Sequence, residues 1–212
     1  MKHSNRQMQK WAGAFAVLLA VAFITGCNKA STEDESDDSS VPAPATPPPA
    51  PAPPAAATPA VVTPPVRIKA GATEQMKDSA GNVWLPDQGF ADGQTYAVAD
   101  AAITNTTDVA LYRTERYSMT AYKFEVPKGK YTVKLHFAEV YSGITGPGMR
   151  VFTFNVQGHE FKDFDIWAKA GGFGKAYVES VNVDVTDGKL NITFTPNLEN
   201  PKICGIEILP RS

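Results

Sequence analysis

Few side chains in this 212-residue chain are equipped for covalent chemistry. Residues 66–212 carry two histidines, His136 and His159, and one cysteine, Cys204. Neither an HExxH string nor a second Cys is present there, so His/Cys metal ligation is not expected. Loop carboxylates leave a structural Ca2+ open. His136 alternates into the polar face of its segment and His159 follows the Gly158 turn, so both read as solvated or structural imidazoles. Asp163 and Asp165 share a short segment, but a glycosidase pair is defined by separation in space, which sequence spacing does not supply. Gly171-Gly172-Phe173-Gly174-Lys175 lacks the GxxxxGK[ST] spacing and no helical pattern follows it, which removes a phosphate loop. The expectation is a protein that is not an enzyme and needs no cofactor.

Aromatic side chains stand out instead. All seven tyrosines, Trp84, Trp167 and nine of the eleven phenylalanines fall in residues 66–212. Phenylalanine alternating along a strand is core. Tyrosine in a Gly/Asp-rich loop is an amphipathic plate with a polar tip. Sugars present apolar C–H faces rimmed by hydroxyls. A site for them wants aromatic plates and fixed carboxylate or amide acceptors, and it needs no nucleophile.

The elements that must position such plates are strands. From Val66 onward the apolar pattern has period two. Tyr122, Phe124 and Val126 alternate with polar neighbours, Pro127-Lys128-Gly129-Lys130 reads as a turn, and Tyr131, Val133, Leu135 and Phe137 alternate again. This predicts a hairpin with one buried face. Further strands are expected at 150–156, 176–185, 190–195 and 202–209, with Asp187-Gly188 as a tight turn. In the last of these, Cys204, Ile206 and Ile208 are placed on one face, which makes Cys204 a buried, inert thiol. The fold class is all-β, an antiparallel β-sandwich of jelly-roll type. Long loops at 85–109, 141–149 and 157–175 are where binding residues are expected.

Charge and proline divide the chain into unequal parts. Residues 1–27 hold Lys2, Arg6 and Lys10 and no acid; residues 28–65 hold one base and five acids. The remaining 147 residues hold 16 bases and 17 acids, a near-neutral body without a basic stripe, so no nucleic-acid partner is expected. Trp11–Ile24 is an uncharged apolar run of 14 residues behind a basic start, the pattern of a secretory signal and too short for a bilayer span. Ile24-Thr25-Gly26-Cys27 resembles the lipobox of bacterial lipoproteins. The resemblance implies that residues 1–26 are removed and that Cys27 carries acyl chains holding the protein at a membrane. Asn28 is not the inner-membrane retention Asp, which points to the outer membrane of a bacterial cell envelope. Eleven of the 17 prolines lie between Pro42 and Pro65, so 27–65 is expected to be a lipidated, acidic and Pro/Ala-rich spacer.

Within 66–212, Leu111-Tyr112-Arg113-Thr114-Glu115-Arg116-Tyr117, Phe137-Ala138-Glu139-Val140-Tyr141, Arg150-Val151-Phe152, Phe164-Asp165-Ile166 and Asn200-Pro201-Lys202-Ile203 occur in order. So arranged, they resemble the malectin domain, and Arg67-Ile68-Lys69-Ala70-Gly71 is similar to its first strand. The resemblance implies a β-sandwich that binds an oligosaccharide or cell-envelope glycan, neutral and glucose-containing in the animal members, without cleaving it. By the same resemblance the sugar-stacking tyrosines are Tyr96, Tyr117 and Tyr141, and Glu199 is the carboxylate acceptor. Two departures matter: Ser142 stands where the animal domain has Phe, and Glu199 where it has Asp. From the residues alone, Tyr117 also reads as a core residue and Tyr141 as a cap on a sheet edge. Glu115, Arg116 and Glu139 read as an internal ion-pair network that holds the loops, and Trp84 and Trp167 as core or loop anchors. The alternative function is an envelope protein-interaction or adhesion module on the same sandwich.

Overall fold

The computed structural model describes residues 58–212. Cys27, the acidic patch and the greater part of the Pro/Ala tract lie outside the described residues. Thirteen strands follow in order: β1 (Ala60–Val61), β2 (Val66–Lys69), β3 (Met76–Lys77), β4 (Val83–Trp84) and β5 (Phe90–Ala97). After a 3-10 turn at Val109–Tyr112 come β6 (Thr114–Glu125), β7 (Gly129–Phe137), β8 (Val151–Val156) and β9 (His159–Phe164). A short helix, α1 (Ile166–Ala170), precedes β10 (Tyr177–Val185), β11 (Lys189–Leu198), β12 (Lys202–Ile203) and β13 (Gly205–Pro210). The fold is all-β, as the period-two pattern requires.

Two sheets form the sandwich. One runs β1-β6-β11-β8-β9, with β5 and β12 also pairing β6; the other runs β10-β7-β13-β2. Pairing between these strands is antiparallel except for β1 against β6. Side chains of period two from both sheets meet in one core. Phe137 of β7 lies 5.0 Å from the Phe164 ring centroid, 5.9 Å from Phe154 and 6.2 Å from Phe152, all on the opposite sheet. Tilted geometries at these separations suit the aromatic quadrupole.

The expected hairpin between 122–126 and 131–137 does not form. β6 belongs to one sheet and β7 to the other, so the Pro127-Lys128 turn is an arch across the sandwich. The alternation is the same in both cases, because two strands facing each other bury one face just as two neighbours do. Asp187-Gly188 likewise joins β10 to β11 across the sheets. The loops expected at 85–109 and 157–175 contain β5, β9 and α1. Both strands escaped notice because they are polar: four of the six residues of β9 are exposed, as are the last four of β5.

The last expected strand is two strands. Lys202 and Ile203 pair with β6, and from Gly205 the chain pairs with β7 and β2 in the other sheet. Cys204 is the crossing point, and the alternation resets there. Cys204 is fully buried, as expected, but it does not share a face with Ile206 and Ile208. It packs in a second cluster with Trp84, Leu111, Tyr112 and Val140, whereas the two isoleucines enter the main core. That second cluster also covers His136, which is buried rather than solvated. Its Nδ1 lies 2.9 Å from the Tyr112 hydroxyl and its Nε2 3.0 Å from Glu207 Oε1, and Trp84 meets its ring edge-on at 5.2 Å.

Candidate functional site

β5 and β6 pair so that Gln94 stands opposite Tyr117 and Tyr96 opposite Glu115. Residues two apart on a strand share a face, so these four side chains come together on one side of the ladder. Lys202 of β12 sits opposite Tyr117 on the other flank of β6 and joins them. Gly93 makes the pairing possible. At φ 81° a Cβ there would lie 2.5 Å from Tyr117 O and 2.8 Å from Met119 N, so only glycine brings β5 this close.

The result is a cavity of about 300 Å3 lined by Tyr96, Glu115, Tyr117, Tyr141, Arg150, Glu199 and Asn200. The four residues singled out in the sequence, Tyr96, Tyr117, Tyr141 and Glu199, are therefore brought together from β5, β6 and two loops. Tyr96 and Tyr141 are 36% and 45% exposed, and their rings meet edge to face with centroids 6.1 Å apart. Tyr117 is half-buried and its hydroxyl donates to Gln94 Oε1 at 2.7 Å, which fixes the ring. Glu199 adopts a left-handed backbone at φ 63°, with its side chain 48% exposed and Oε2 4.0 Å from Arg150 Nη1.

Beneath the rings lies a set of buried charges. The Lys202 ammonium, with no exposure, forms ion pairs with Glu115 and, at 3.3 Å, with Glu139 Oε1. Arg150 Nε donates to Glu139 Oε2 at 2.8 Å, and its Nη1 donates to Asn200 O. The Tyr141 backbone N–H donates to Glu139 Oε1 at 3.1 Å. Two cations thus face two carboxylates, and Glu139 ties the end of the β7 segment to the Arg150 and Lys202 segments. Burial pushes the Glu115 carboxyl above its usual range, against the pull of the Lys202 charge.

The expectation of one network through Glu115, Arg116 and Glu139 is corrected in one member. Arg116 alternates to the opposite face of β6. There its Nε donates to Asp87 Oδ2 at 2.6 Å, and the guanidinium stacks 3.4 Å above the Phe90 ring. Asp87 also accepts from the Gly71 N–H at 2.7 Å and from the Tyr122 hydroxyl at 2.9 Å, so it anchors this second cluster. Sequence reasoning missed Arg150, Asn200 and Gln94 at the site. Arg150 and Asn200 lay in plain view inside the RVF and NPKI strings, and Gln94 sits two residues before Tyr96.

The other residues considered for chemistry take structural work. Asp165 caps α1 by accepting from the Ala168 N–H at 3.1 Å and also accepts from the Gly148 N–H; Asp163 accepts from Asn197 Nδ2 at 2.7 Å. Neither lines the cavity. His159 is exposed on β9, and the Trp84 indole is buried with its N–H on Asp78 Oδ2 at 3.1 Å. Trp167 is half-buried on α1. Among the described residues, no group of three or more His, Cys, Asp or Glu is placed to hold a metal ion.

The geometry can be set beside known proteins. Malectin-B of Xenopus laevis is 33% identical over 124 residues, covering 50% of this chain and 44% of that protein. Human malectin is 34% identical over 124 residues, covering 50% and 41%. The chain spans less than half the length of these curated relatives. Among solved structures, Bacteroides uniformis beta-glucuronidase superposes with a TM-score of 0.61 at 19% identity, covering 69% of this chain and 18% of that one. The plant receptor-like kinase FER does so with a TM-score of 0.59 at 21% identity, covering 68% and 48%. These two likenesses establish a shared fold. The family model described as Malectin domain matches residues 65–206, a span that encloses every residue around the cavity, and the chain belongs to the malectin domain family.

Proposed function

We propose that the domain binds a neutral, glucose-containing oligosaccharide in this cavity without cleaving it. The observation that carries the reading is the convergence of Tyr96, Tyr117 and Tyr141 with Glu199 and Asn200 around one opening. Tyrosine faces supply stacking area for sugar C–H surfaces, while Glu199 and Asn200 supply hydroxyl acceptors. The buried carboxylates Glu115 and Glu139 are each held by a cation, which suits a rigid floor rather than proton transfer to a leaving group. The ion pairs also cancel one another, which favours an uncharged ligand.

A glycan array with the full chain, followed by calorimetry on the best sugar, tests this. Tyr117→Ala and Tyr141→Ala should each weaken binding by roughly 1–2 kcal/mol, about ten-fold. Unchanged affinity in both variants removes the site assignment. A blank array together with recovery of one envelope protein in a pull-down would replace the glycan by a protein partner. Release of reducing sugar by the purified chain would overturn the non-catalytic reading.

The domain is further proposed to be held at a bacterial cell envelope, on the outer rather than the inner membrane, by acyl chains on Cys27. The Ile24-Thr25-Gly26-Cys27 string behind a basic, apolar leader supports this. Labelled palmitate should enter the wild-type protein and not Cys27→Ser; equal labelling of both would refute the anchor.

A further inference from the structure

We propose that Phe173 and Trp167 form a second aromatic platform, which extends the cavity beyond Tyr141 into a groove for an oligosaccharide of more than two sugar units. The proposal rests on the carbohydrate reading above and adds a length requirement to it.

Phe173 is 46% exposed, and its ring centroid lies 6.1 Å from that of Trp167 at an interplanar angle of 53°. An apolar ring held in water is uninformative on a wandering loop tip, but this loop is pinned along its length. The Gly171 and Gly172 N–H groups both donate to Trp167 O at 2.9 Å, and Lys175 Nζ donates to Gly171 O at 2.8 Å. On the far side of Phe173, the Gly174 N–H donates to Glu139 O at 2.9 Å, and Gly174 O accepts from the Thr104 N–H at 2.8 Å. Gly174 fits that seat only as glycine. Its φ is 64°, and a Cβ would lie 2.6 Å from Ala102 O. The backbone therefore holds Phe173 outward in a fixed position, as a preorganised binding group requires.

The same bonds bring its loop against the segment that leads into Tyr141. Gly174 follows Phe173 and is bonded to Glu139, the residue two before Tyr141. Asp165, the cap of the helix that carries Trp167, accepts from Gly148 N–H and so ties α1 to the 141–149 loop. Met149 and Leu198, 39% and 54% exposed, directly precede the lining residues Arg150 and Glu199. Tyr96, Tyr141, Met149, Phe173 and Leu198 are five of the eight large apolar side chains exposed on the described residues, and of these five Tyr96 and Tyr141 line the cavity.

Calorimetry of the full chain against ladders of neutral gluco-oligosaccharides in α1,4, β1,3 and β1,4 linkage tests the platform. In the linkage that binds, affinity should climb about ten-fold from the disaccharide to the pentasaccharide. Phe173→Ala should flatten that climb and leave disaccharide affinity unchanged, while Val178→Ala, an exposed apolar residue on the other sheet, should change neither. A climb that persists in Phe173→Ala refutes the platform and leaves the carbohydrate reading standing. Loss of disaccharide binding in Phe173→Ala refutes a separate platform. Silence across all ladders, in wild type as well, refutes both.

Discussion

Lys202→Met is the most exacting test of how the site is supported. The wild-type floor balances the Lys202 and Arg150 cations against the Glu115 and Glu139 carboxylates, with Lys202 entirely buried. Methionine fills much the same volume and removes the charge, which leaves two carboxylates against one guanidinium. Breaking a buried pair by deleting one partner costs about 3–5 kcal/mol. For a domain of this size that corresponds to a fall in Tm of about 6–20 °C. The loss should depend on pH. Burial already raises the Glu115 carboxyl, and the Lys202 charge is what opposes that rise. Without Lys202 the folded-state value moves further above the unfolded one, so the native state takes up a proton on acidification that the unfolded chain does not. Stability tied to a raised group is present below the unfolded value and lost as pH rises through the folded value. The deficit of Lys202→Met should therefore be greatest at neutral to mildly alkaline pH and shrink toward about pH 5. Adding Glu115→Gln removes the orphaned charge and should restore a large part of the loss. Urea unfolding followed by tryptophan fluorescence measures the wild type and both variants. A deficit below about 1 kcal/mol, or one that is flat from about pH 5 to pH 8, refutes the account of a charge-balanced floor.

Gly93→Ala forces a Cβ against Tyr117 O and Met119 N at a left-handed backbone, so it should cost at least about 1–3 kcal/mol in thermal unfolding and weaken sugar binding through displaced Tyr117. Normal stability and affinity would mean that β5 can shift freely. Burial pushes the Cys204 thiol up to about 12, so it should resist a thiol reagent at pH 8 in the native protein and react only on unfolding; prompt native labelling would contradict its placement. At Glu207 burial acts to raise the carboxyl, but the His136 hydrogen bond and the Lys134 and Arg67 charges hold it below its usual range. Its contribution is thus present above the unfolded value near ~4.3 and lost as pH falls through the folded value. Glu207→Gln should be less stable than wild type by about 1.5–3 kcal/mol at pH 7, converging with it in acid unfolding curves near about pH 3; parallel curves would refute the assignment.

The strands were legible because burial on one face imposes a period of two whatever the partner. For the same reason, Tyr122–Phe124 and Val133–Phe137 looked like neighbours when they are facing walls. Pairing depends on the turn's path through space, and Pro127-Lys128 does not encode which sheet follows. β9 was illegible because His159–Phe164 is a polar edge with little to bury. Of the site, the tyrosines were readable as aromatic plates in polar surroundings, and the quoted strings led to them. The charged floor was not: Lys202 and Arg150 read as ordinary polar positions until β12 and the segment before β8 are brought under β6. Asp87, one of four acids in an expected loop, offered no signal that Arg116, Tyr122 and Gly71 would gather around it.

The crossing at Cys204 couples site and scaffold. Lys202, under the tyrosines, and Ile206, in the main core, lie four residues apart on one uninterrupted run of backbone that serves both sheets. Opening the cavity floor would require stripping ladder bonds from both layers at once. Amide hydrogens from 202 to 208 should then exchange only through global unfolding, and an occupied cavity should slow their exchange by the full free energy of binding. On the proposed function, a cavity floor built this way offers no soft hinge at 202–208 through which to adapt to a poorly fitting sugar. Selection would then be by rejection, set when the chain folds rather than when the ligand arrives.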